Sequence, residues 1–223
     1  MTSTLMPDSV ILSLPESWDD IPLEEAAHRA FVKDQMSLME QSGGLGRAEL
    51  RQLELLAAWS LQAAKAGRVM LASSFLAIET ADNSDGDDTL LTALLIVSAL
   101  RRDEIGTDLP LSASAMVSAF ADNTPSDDST ARYAHIEPPS VCKIGDYQAA
   151  KLTRLLTWRR DLKSEFRQFL QTYLVSCADG DAVIVLQFST TNFQHAKPFS
   201  DLFHRIARTL RILYPDDPTF VDD

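Results

Sequence analysis

The fold of this chain is decided by the stretch from Ala182 to Leu213, which reads AVIVLQFSTTNFQHAKPFSDLFHRIARTLRIL. Its first part, Val183–Phe188, is an almost unbroken apolar run, which is typical of a buried strand. After a turn at 189–192, apolar residues recur at the three-and-four spacing of one helix face: Phe199, Leu202, Phe203, Ile206, Ala207, Leu210 and Leu213. The stretch therefore predicts a core strand that leads into a core helix beginning near Pro198.

Three further helices are predicted upstream of this stretch. The first follows Asp19-Asp20-Ile21-Pro22 and runs to about Gln41, with an Asp as its N-cap and Pro22 in its first turn. The second follows the glycine-rich joint at 43–46 and buries leucines and alanines as far as Ala64. The third, at 109–121, is short and rich in Ala and Ser. Because the first two helices are joined by a short loop, they are expected to form a helical hairpin on one sheet face.

The remaining apolar segments predict strands that are separated by turn residues. These strands are Val10–Leu14, Val69–Glu79, Leu90–Leu100, Ala131–Glu137, Gln148–Trp158 and Glu165–Val175. The composition of Leu90–Leu100 would equally suit a helix. Pro138-Pro139 is expected to end the strand that begins at Ala131. Short connections between consecutive strands indicate antiparallel pairing.

This order of elements predicts an α+β fold. The expected architecture is a single domain over residues 1–223, with a central antiparallel sheet of about six or seven strands covered by helices. Residues 122–130 are the most polar segment and are expected to form an exposed loop. Residues 214–223 are expected to form an acidic tail broken by prolines.

Composition and charge exclude several classes of partner. The net charge of -12 argues against binding to nucleic acid or to an anionic membrane surface, since both require clustered Lys and Arg. No positively charged leader begins the sequence, and no apolar run reaches the about 20 residues of a membrane span. The two cysteines, Cys142 and Cys177, have no CxxC or metal-ligand neighbours. These features predict a cytoplasmic protein with reduced cysteines.

Two segments near the C-terminus, together with the opening Leu14–Trp18, carry a family resemblance. The segments Gly180–Thr190 and Phe199–Ala207 resemble the closing strand and helix of the PsbP-like superfamily, notably lipoproteins of the LpqN type and uncharacterised actinobacterial members. The resemblance implies an antiparallel sheet between helices, and a binding or assembly role without a shared catalytic set. The chain departs from the lipoproteins because it has no signal sequence or lipobox cysteine.

No catalytic or metal signature is found in the sequence. The acidic turn at 82–88 does not match the EF-hand loop, because Ala81 and Thr92 stand at ligand positions. The glycines at 43–46 are not followed by the Lys-Ser or Lys-Thr of a phosphate loop. His195 and Cys177 could form a thiolate-imidazole pair only if the fold brings them together near solvent. No cofactor or metal is therefore expected.

Five residues are the candidate contacts for a partner or ligand: Trp18, Trp158, His195, Arg205 and Arg208. Tryptophan is enriched at binding hot spots. Arg205, Arg208 and Arg211 are expected to share the polar side of the last helix, where they would either bind an anionic group or simply stabilise the helix end beside Asp201.

The function predicted from these observations is a non-enzymatic cytoplasmic protein-binding or assembly protein, whose partner is another protein or a second copy of the chain. The alternative is a small-molecule-binding protein or an enzyme with a pocket near His195 and Cys177. The absence of catalytic motifs makes the non-enzymatic interpretation the preferred one.

Overall fold

The structure, a computed structural model, describes residues 7–41, 69–79, 89–105, 111–121, 131–161, 164–177 and 182–214. Most of these residues lie in nine strands: β1 (Ser9–Ile11), β2 (Trp18–Asp20), β3 (Val69–Glu79), β4 (Thr89–Arg101), β5 (Ala131–Ile144), β6 (Tyr147–Asp161), β7 (Ser164–Ser176), β8 (Ala182–Thr190) and β9 (Arg211–Leu213). The helices are α1 (Glu25–Gln41), α2 (Arg102–Ile105), α3 (Ala113–Ala121) and α4 (Ala196–Ala207), with a short 3-10 turn at Phe193–His195.

Seven strands form one sheet in the order β2-β3-β4-β8-β7-β6-β5, and every neighbouring pair is antiparallel. A separate two-stranded sheet joins β1 to β9. The prediction of an α+β fold with a central antiparallel sheet is confirmed. Val183–Phe188 lies in β8, close to the middle of the sheet, where both of its neighbours are long strands.

One face of the sheet, called the α4 face, carries the largest part of the core. Alternate residues of the central strands point to this face and pack under Phe199, Phe203, Ile206 and Ala207 of α4. The rings of Phe188 and Phe203 stack with their centroids 4.8 Å apart. The β1–β9 pair packs against the same cluster through Ile212 and Val10. The period-three-and-four pattern of the C-terminal stretch is thus explained by one helix lying on the sheet.

The opposite face, called the α3 face, is covered by two helices in different places. Phe31 of α1 packs over Ile21, Ala72, Leu94 and Ile96 at the β3–β4 side. Met116, Val117 and Phe120 of α3 pack over the β6–β7 side, against Ala150, Leu152, Leu174 and Val183. The helices therefore form layers on both sides of the sheet.

Three predicted boundaries are wrong, and each has a physical reason. Asp19 and Asp20 belong to β2 and not to a helix cap, because Trp18 pairs with Phe75 and pulls the segment onto the sheet edge. Strand β5 continues through Pro138-Pro139, because an edge strand needs partner N–H groups on one side only. The last helix ends at Ala207, and Leu210 and Leu213 are buried by the turn and by β9 instead.

The long segments were predicted correctly. Val69–Glu79 is strand β3 with the expected bounds, and Leu90–Leu100 lies in strand β4 and not in a helix. The second predicted helix, the glycine-rich joint at 43–46, the acidic turn at 82–88, the loop at 122–130 and residues 215–223 of the tail lie outside the described residues.

Candidate functional site

Strand β5 forms one edge of the sheet and is exposed along most of its length. It pairs with β6 on one side, and no described strand lies on its other side. The side chains at 132–138 are all exposed. The outer backbone N–H and C=O groups of an edge strand are a template to which another extended chain can add.

This edge concentrates exposed apolar side chains. Six large hydrophobic side chains are exposed in the described part of the chain, and three of them lie on β5: Tyr133 at 43%, Ile136 at 52% and Val141 at 47%. Single exposed apolar residues are ordinary, but three of the six lie along this one strand. Exposed apolar side chains beside unpaired backbone groups are typical of an edge to which a partner strand can add.

Pro138 and Pro139 divide the edge into two regular segments. The register between β5 and β6 shifts on both sides of Glu137, whereas Ala131–His135 and Ser140–Ile144 pair without interruption. Prolines have no N–H donor, and bulges bend the strand, so the middle of β5 cannot support continuous sheet extension. The edge can therefore accept short segments and resists open-ended stacking.

The β5–β6 hairpin is positively charged in an acidic protein. Residues 131–161 contain six Lys and Arg and three Asp and Glu, which gives +3, against -12 for the whole chain. Lys151 is paired with Glu137 at 3.3 Å, and Thr153 donates a second hydrogen bond to the same carboxylate. Arg132 and Arg154 form no ion pair with any described acidic side chain.

Arg154 is held between two aromatic rings on the α3 face. Its guanidinium carbon lies 5.1 Å from the centre of the Tyr133 ring and 6.0 Å from that of Phe120. Burial lowers the pKa of Arg154, while the nearby Tyr133 raises it by a smaller amount. Its Nε is buried and has no hydrogen-bond partner. Cation–π contacts contribute about 0.5–2 kcal/mol, whereas an unmade hydrogen bond to a buried charge costs about 1–3 kcal/mol or more. The cation–π contacts therefore offset only part of the free-energy cost of burying the Arg154 guanidinium.

A histidine fixes the edge strand to the end of α3. The Nε2 of His135 donates a hydrogen bond of 3.1 Å to the carbonyl oxygen of Phe120. His135 is also the cross-strand partner of Arg154. The positions of Tyr133, Arg154 and Phe120 are thus set by one local set of contacts.

On the α4 face, a buried chain of hydrogen bonds joins β7 to α4. The hydroxyl of Ser200 donates to Oε1 of Gln171 at 2.6 Å, and Nε2 of Gln171 donates to the Tyr173 hydroxyl. That hydroxyl also forms a hydrogen bond of 3.0 Å with Nδ1 of His204.

Burial shifts the pKa values of both Tyr173 and His204 in this set of hydrogen bonds. Burial raises the pKa of Tyr173 far above its ordinary value, so the phenol keeps its proton. Burial also lowers the pKa of His204, and Lys151 and Arg208 lower it further, while Asp201 opposes them. Neutral Tyr173 and neutral His204 fit a structural role that fixes α4 on the sheet.

Two of the predicted contact residues lie in the sheet. Trp18 is only 7% exposed and packs its ring against Phe75 and Phe203. Its ring is therefore part of the core and has little surface to offer a partner. Trp158 lies in β6, where it pairs with Ala131 and Phe166.

The other predicted contact residues lie near α4. His195 is in the 3-10 turn before the helix, and Arg205 is exposed in its last turn. Arg208 caps the helix and Arg211 belongs to β9, so the predicted strip of three arginines on one helix does not form. The role of these residues as contacts remains a prediction.

The predicted pair of His195 and Cys177 does not form. Cys177 follows β7 and hydrogen-bonds to Ala182 at the start of β8, whereas His195 follows the end of β8. Strand β8, nine residues and about 26 Å long at about 3.3 Å per residue, lies between the segments that hold the two residues. Cys177 is buried, and Cys142 and Cys177 form no disulfide with each other. This placement does not support a thiolate-imidazole pair, and a pocket near either residue stays a prediction.

The residues that do come together were not found from the sequence. Tyr133, Arg154 and Phe120 are spread over three elements, and only the strand register and the placement of α3 bring them into contact. The prolines at 138–139, taken as a strand end, were the available signal for an edge strand.

Among the described residues, no group of His, Cys, Asp and Glu side chains has the arrangement of a metal site. None of the described helices has the length and hydropathy required to cross a membrane. The acidic turn at 82–88 is outside the described residues, so its predicted lack of calcium stays a prediction.

Comparison with known proteins gives likeness in structure but not in sequence. No protein-family model matches the chain, and no curated protein matches it in sequence. The chain is similar to the crystal structure of LpqN, described as involved in cell envelope biogenesis of Mycobacterium tuberculosis, with 12% identity over 95% of this chain and 87% of that chain and a TM-score of 0.44. The resemblance to LpqN noted in the sequence thus recurs in structure. Membership of the PsbP-like superfamily stays a prediction.

The predicted cytoplasmic setting is corrected by this likeness. The sequence predicted a cytoplasmic protein-binding or accessory protein, but the similar structure is that of a protein of cell envelope biogenesis. That description conflicts with a cytoplasmic location and with a function defined by it. Neither is retained.

Proposed function

We propose that this protein binds an extended, acidic segment of another polypeptide along edge strand β5. The observation that carries the proposal is the exposure of Tyr133, Ile136 and Val141 on a strand that, among the described strands, pairs on one side only. The regular segment Ala131–His135 would supply backbone hydrogen bonds, and the exposed side chains beside it would supply apolar contact area.

Charge indicates the kind of partner. The hairpin carries +3 and includes arginines without ionic partners, so it attracts acidic segments and repels basic ones. The rest of this chain is strongly acidic, which makes neighbouring copies repel one another over most of their surface. A foreign acidic segment therefore fits the edge better than a second copy.

The proposal can be tested by selecting binders from a displayed library of random twelve-residue peptides on the immobilised protein. The selected peptides are expected to be extended, rich in Asp and Glu, and to bind wild-type protein in solution. The Ile136→Glu variant should bind the selected peptides with an affinity that is lower by about tenfold or more. Burial of an Ile side chain contributes about 1.5–3 kcal/mol, and the added carboxylate repels acidic peptides.

Ile11→Glu is the matched control, since Ile11 is 45% exposed on β1, away from the edge. It should leave peptide affinity unchanged. The proposal is contradicted by a selection that yields no specific peptides, or by peptides whose affinity does not respond to Ile136→Glu. A stable homodimer that Ile136→Glu dissolves would also contradict it, because β5 would then belong to a second copy.

A further inference from the structure

Arg154 is in contact with two aromatic rings on the β5–β6 surface, and it has no described acidic side chain as its partner. Lys151 on the neighbouring part of β6 has Glu137 as its partner. Arg154 has two aromatic rings, a buried Nε without a hydrogen-bond partner, and no ion pair with a described side chain. A partly buried guanidinium in this state gains strongly from a carboxylate.

The aromatic rings orient the group for that purpose. Phe120 and Tyr133 contact the guanidinium through cation–π interactions, which use the faces of the rings and do not consume its N–H donors. The terminal N–H groups of an arginine form a planar fork that matches the two oxygens of a carboxylate. His135 holds Phe120 and β5 together and so keeps the fork in position.

The strand register specifies where an acid would have to come from. Arg154 pairs with His135 across β6 and β5, so a segment added outside β5 lies two strands away, about 10 Å at about 4.8 Å per strand. An Arg and a Glu that extend toward each other over β5 span this distance together. The acid must lie on the α3 face of the added strand, close to the position opposite His135.

We infer that Arg154 is the specificity residue of the β5 edge and binds one Asp or Glu carboxylate of the added segment. The inference rests on the proposed function, because it needs a segment bound at β5. It adds that the acidity of the partner is recognised at one position and is not a diffuse charge effect.

The test is a double-mutant cycle with a peptide selected on the wild-type protein. Each Asp and Glu of the peptide is changed in turn to Asn or Gln, and affinity is measured for wild type, Arg154→Met and the control Arg132→Gln. One acid-to-amide change is expected to cost about tenfold on wild type and on Arg132→Gln, and less than about threefold on Arg154→Met, since the acid then has no partner.

The outcomes separate the two proposals. If the peptides need Ile136 for binding, but every acid-to-amide change costs the same affinity on wild type, Arg154→Met and Arg132→Gln, the role of Arg154 is overturned. Binding at β5 is then unaffected by this result. A failure to obtain any Ile136-dependent peptide overturns both. If Arg154→Met does not fold, Arg154→Lys completes the cycle: the lysine keeps the charge but lacks the fork, so the acid-to-amide cost should fall below that on wild type. An unchanged cost on Arg154→Lys overturns the inference.

Discussion

The two edges of the sheet are built in opposite ways. At one edge, β2 has only three residues and buries the side chain of Trp18. The surrounding residues 15–25 include five acidic residues and no Lys or Arg. At the other edge, β5 has fourteen residues, exposes three large apolar side chains, and belongs to a hairpin of charge +3. A short acidic strand closes an edge, whereas a long exposed one leaves it open. This difference between the two edges supports the proposal that β5 binds a partner.

The α4 face shows the same contrast between the two halves of the sheet. Beside β2 it is apolar, with Trp18, Phe75 and Phe203 in contact. Toward β5 it also contains polar side chains: Gln171 and Tyr173 are hydrogen-bonded beneath α4, next to buried apolar residues such as Ile144 and Ala149. The half beside β5 therefore adds directed polar contacts to the hydrophobic packing that both halves share. The following predictions test this division.

The largest expected effect distinguishes the anchors of the two edges. Trp18→Ala should lower the free energy of unfolding by about 3–5 kcal/mol, because it removes a large buried ring. Tyr133→Ala should cost about 1 kcal/mol or less, because the ring is exposed and stabilises mainly through Arg154. Urea denaturation of both variants is the measurement. Equal losses would contradict the assignment of one ring to the core and the other to a surface.

A second prediction concerns the contact between the β5–β6 turn and the segment that follows α4. Gly145, in the turn between β5 and β6, has a φ of 53°, and a Cβ there would lie 2.8 Å from the carbonyl oxygen of Leu210. Gly145→Ala should therefore destabilise the protein by about 2 kcal/mol. Asp146→Ala, at the exposed neighbouring position, is the control and should change stability little. Two variants of equal stability would show that the turn does not fix the hairpin.

The polar half of the α4 face should respond to pH through His204. Its pKa is below its ordinary value of 6.5, so the unfolded chain takes up the proton first as the pH falls. Stability contributed by the neutral ring is present above pH 6.5 and is lost as the pH falls through the folded-state pKa. His204→Gln should remove this part of the pH dependence, and Arg208→Gln should reduce it. The measurement is the change in denaturation midpoint between pH 7 and pH 5. An equal change in wild type, His204→Gln and Arg208→Gln would contradict the role of His204.

The smallest effect on stability, but a specific effect on association, is expected from the prolines of β5. Replacing Pro138 and Pro139 by Ala restores two N–H donors at the open edge and should increase concentration-dependent self-association. Pro198→Ala, at an exposed position of α4, is the control. Sedimentation or light scattering measures the result, and an unchanged monomer fraction at all concentrations would show that the prolines do not protect the edge.

Sequence reasoning recovered the closed, apolar part of the molecule better than the open part. The apolar run of β8 and the helical period of α4 are local patterns, so they can be recognised in the sequence without a structure. Strand β2 was missed because its acidic residues favour a helix cap locally, and only the burial of Trp18 against Phe75 decides otherwise. Strand β9 was missed because Leu210 and Leu213 continue the helical spacing of α4 by coincidence.

The candidate site was beyond sequence reasoning for a different reason. Arg154 and Tyr133 meet because of the register of β5 on β6, and a shift of one residue would place them on opposite faces. Tyr173 and His204 are 31 residues apart and meet only because α4 lies on β7. Single-residue features, such as the enrichment of Trp at binding hot spots that pointed to Trp18, carried no information about these contacts.

The most direct test of an open β5 edge is amide hydrogen exchange of the protein with and without a selected acidic peptide. On binding, outward-facing amides within Ala131–His135 should exchange more than about tenfold more slowly, while the amides of Trp18–Asp20 should not change. Protection that appears at β2 or along α4, with β5 unchanged, would contradict the account.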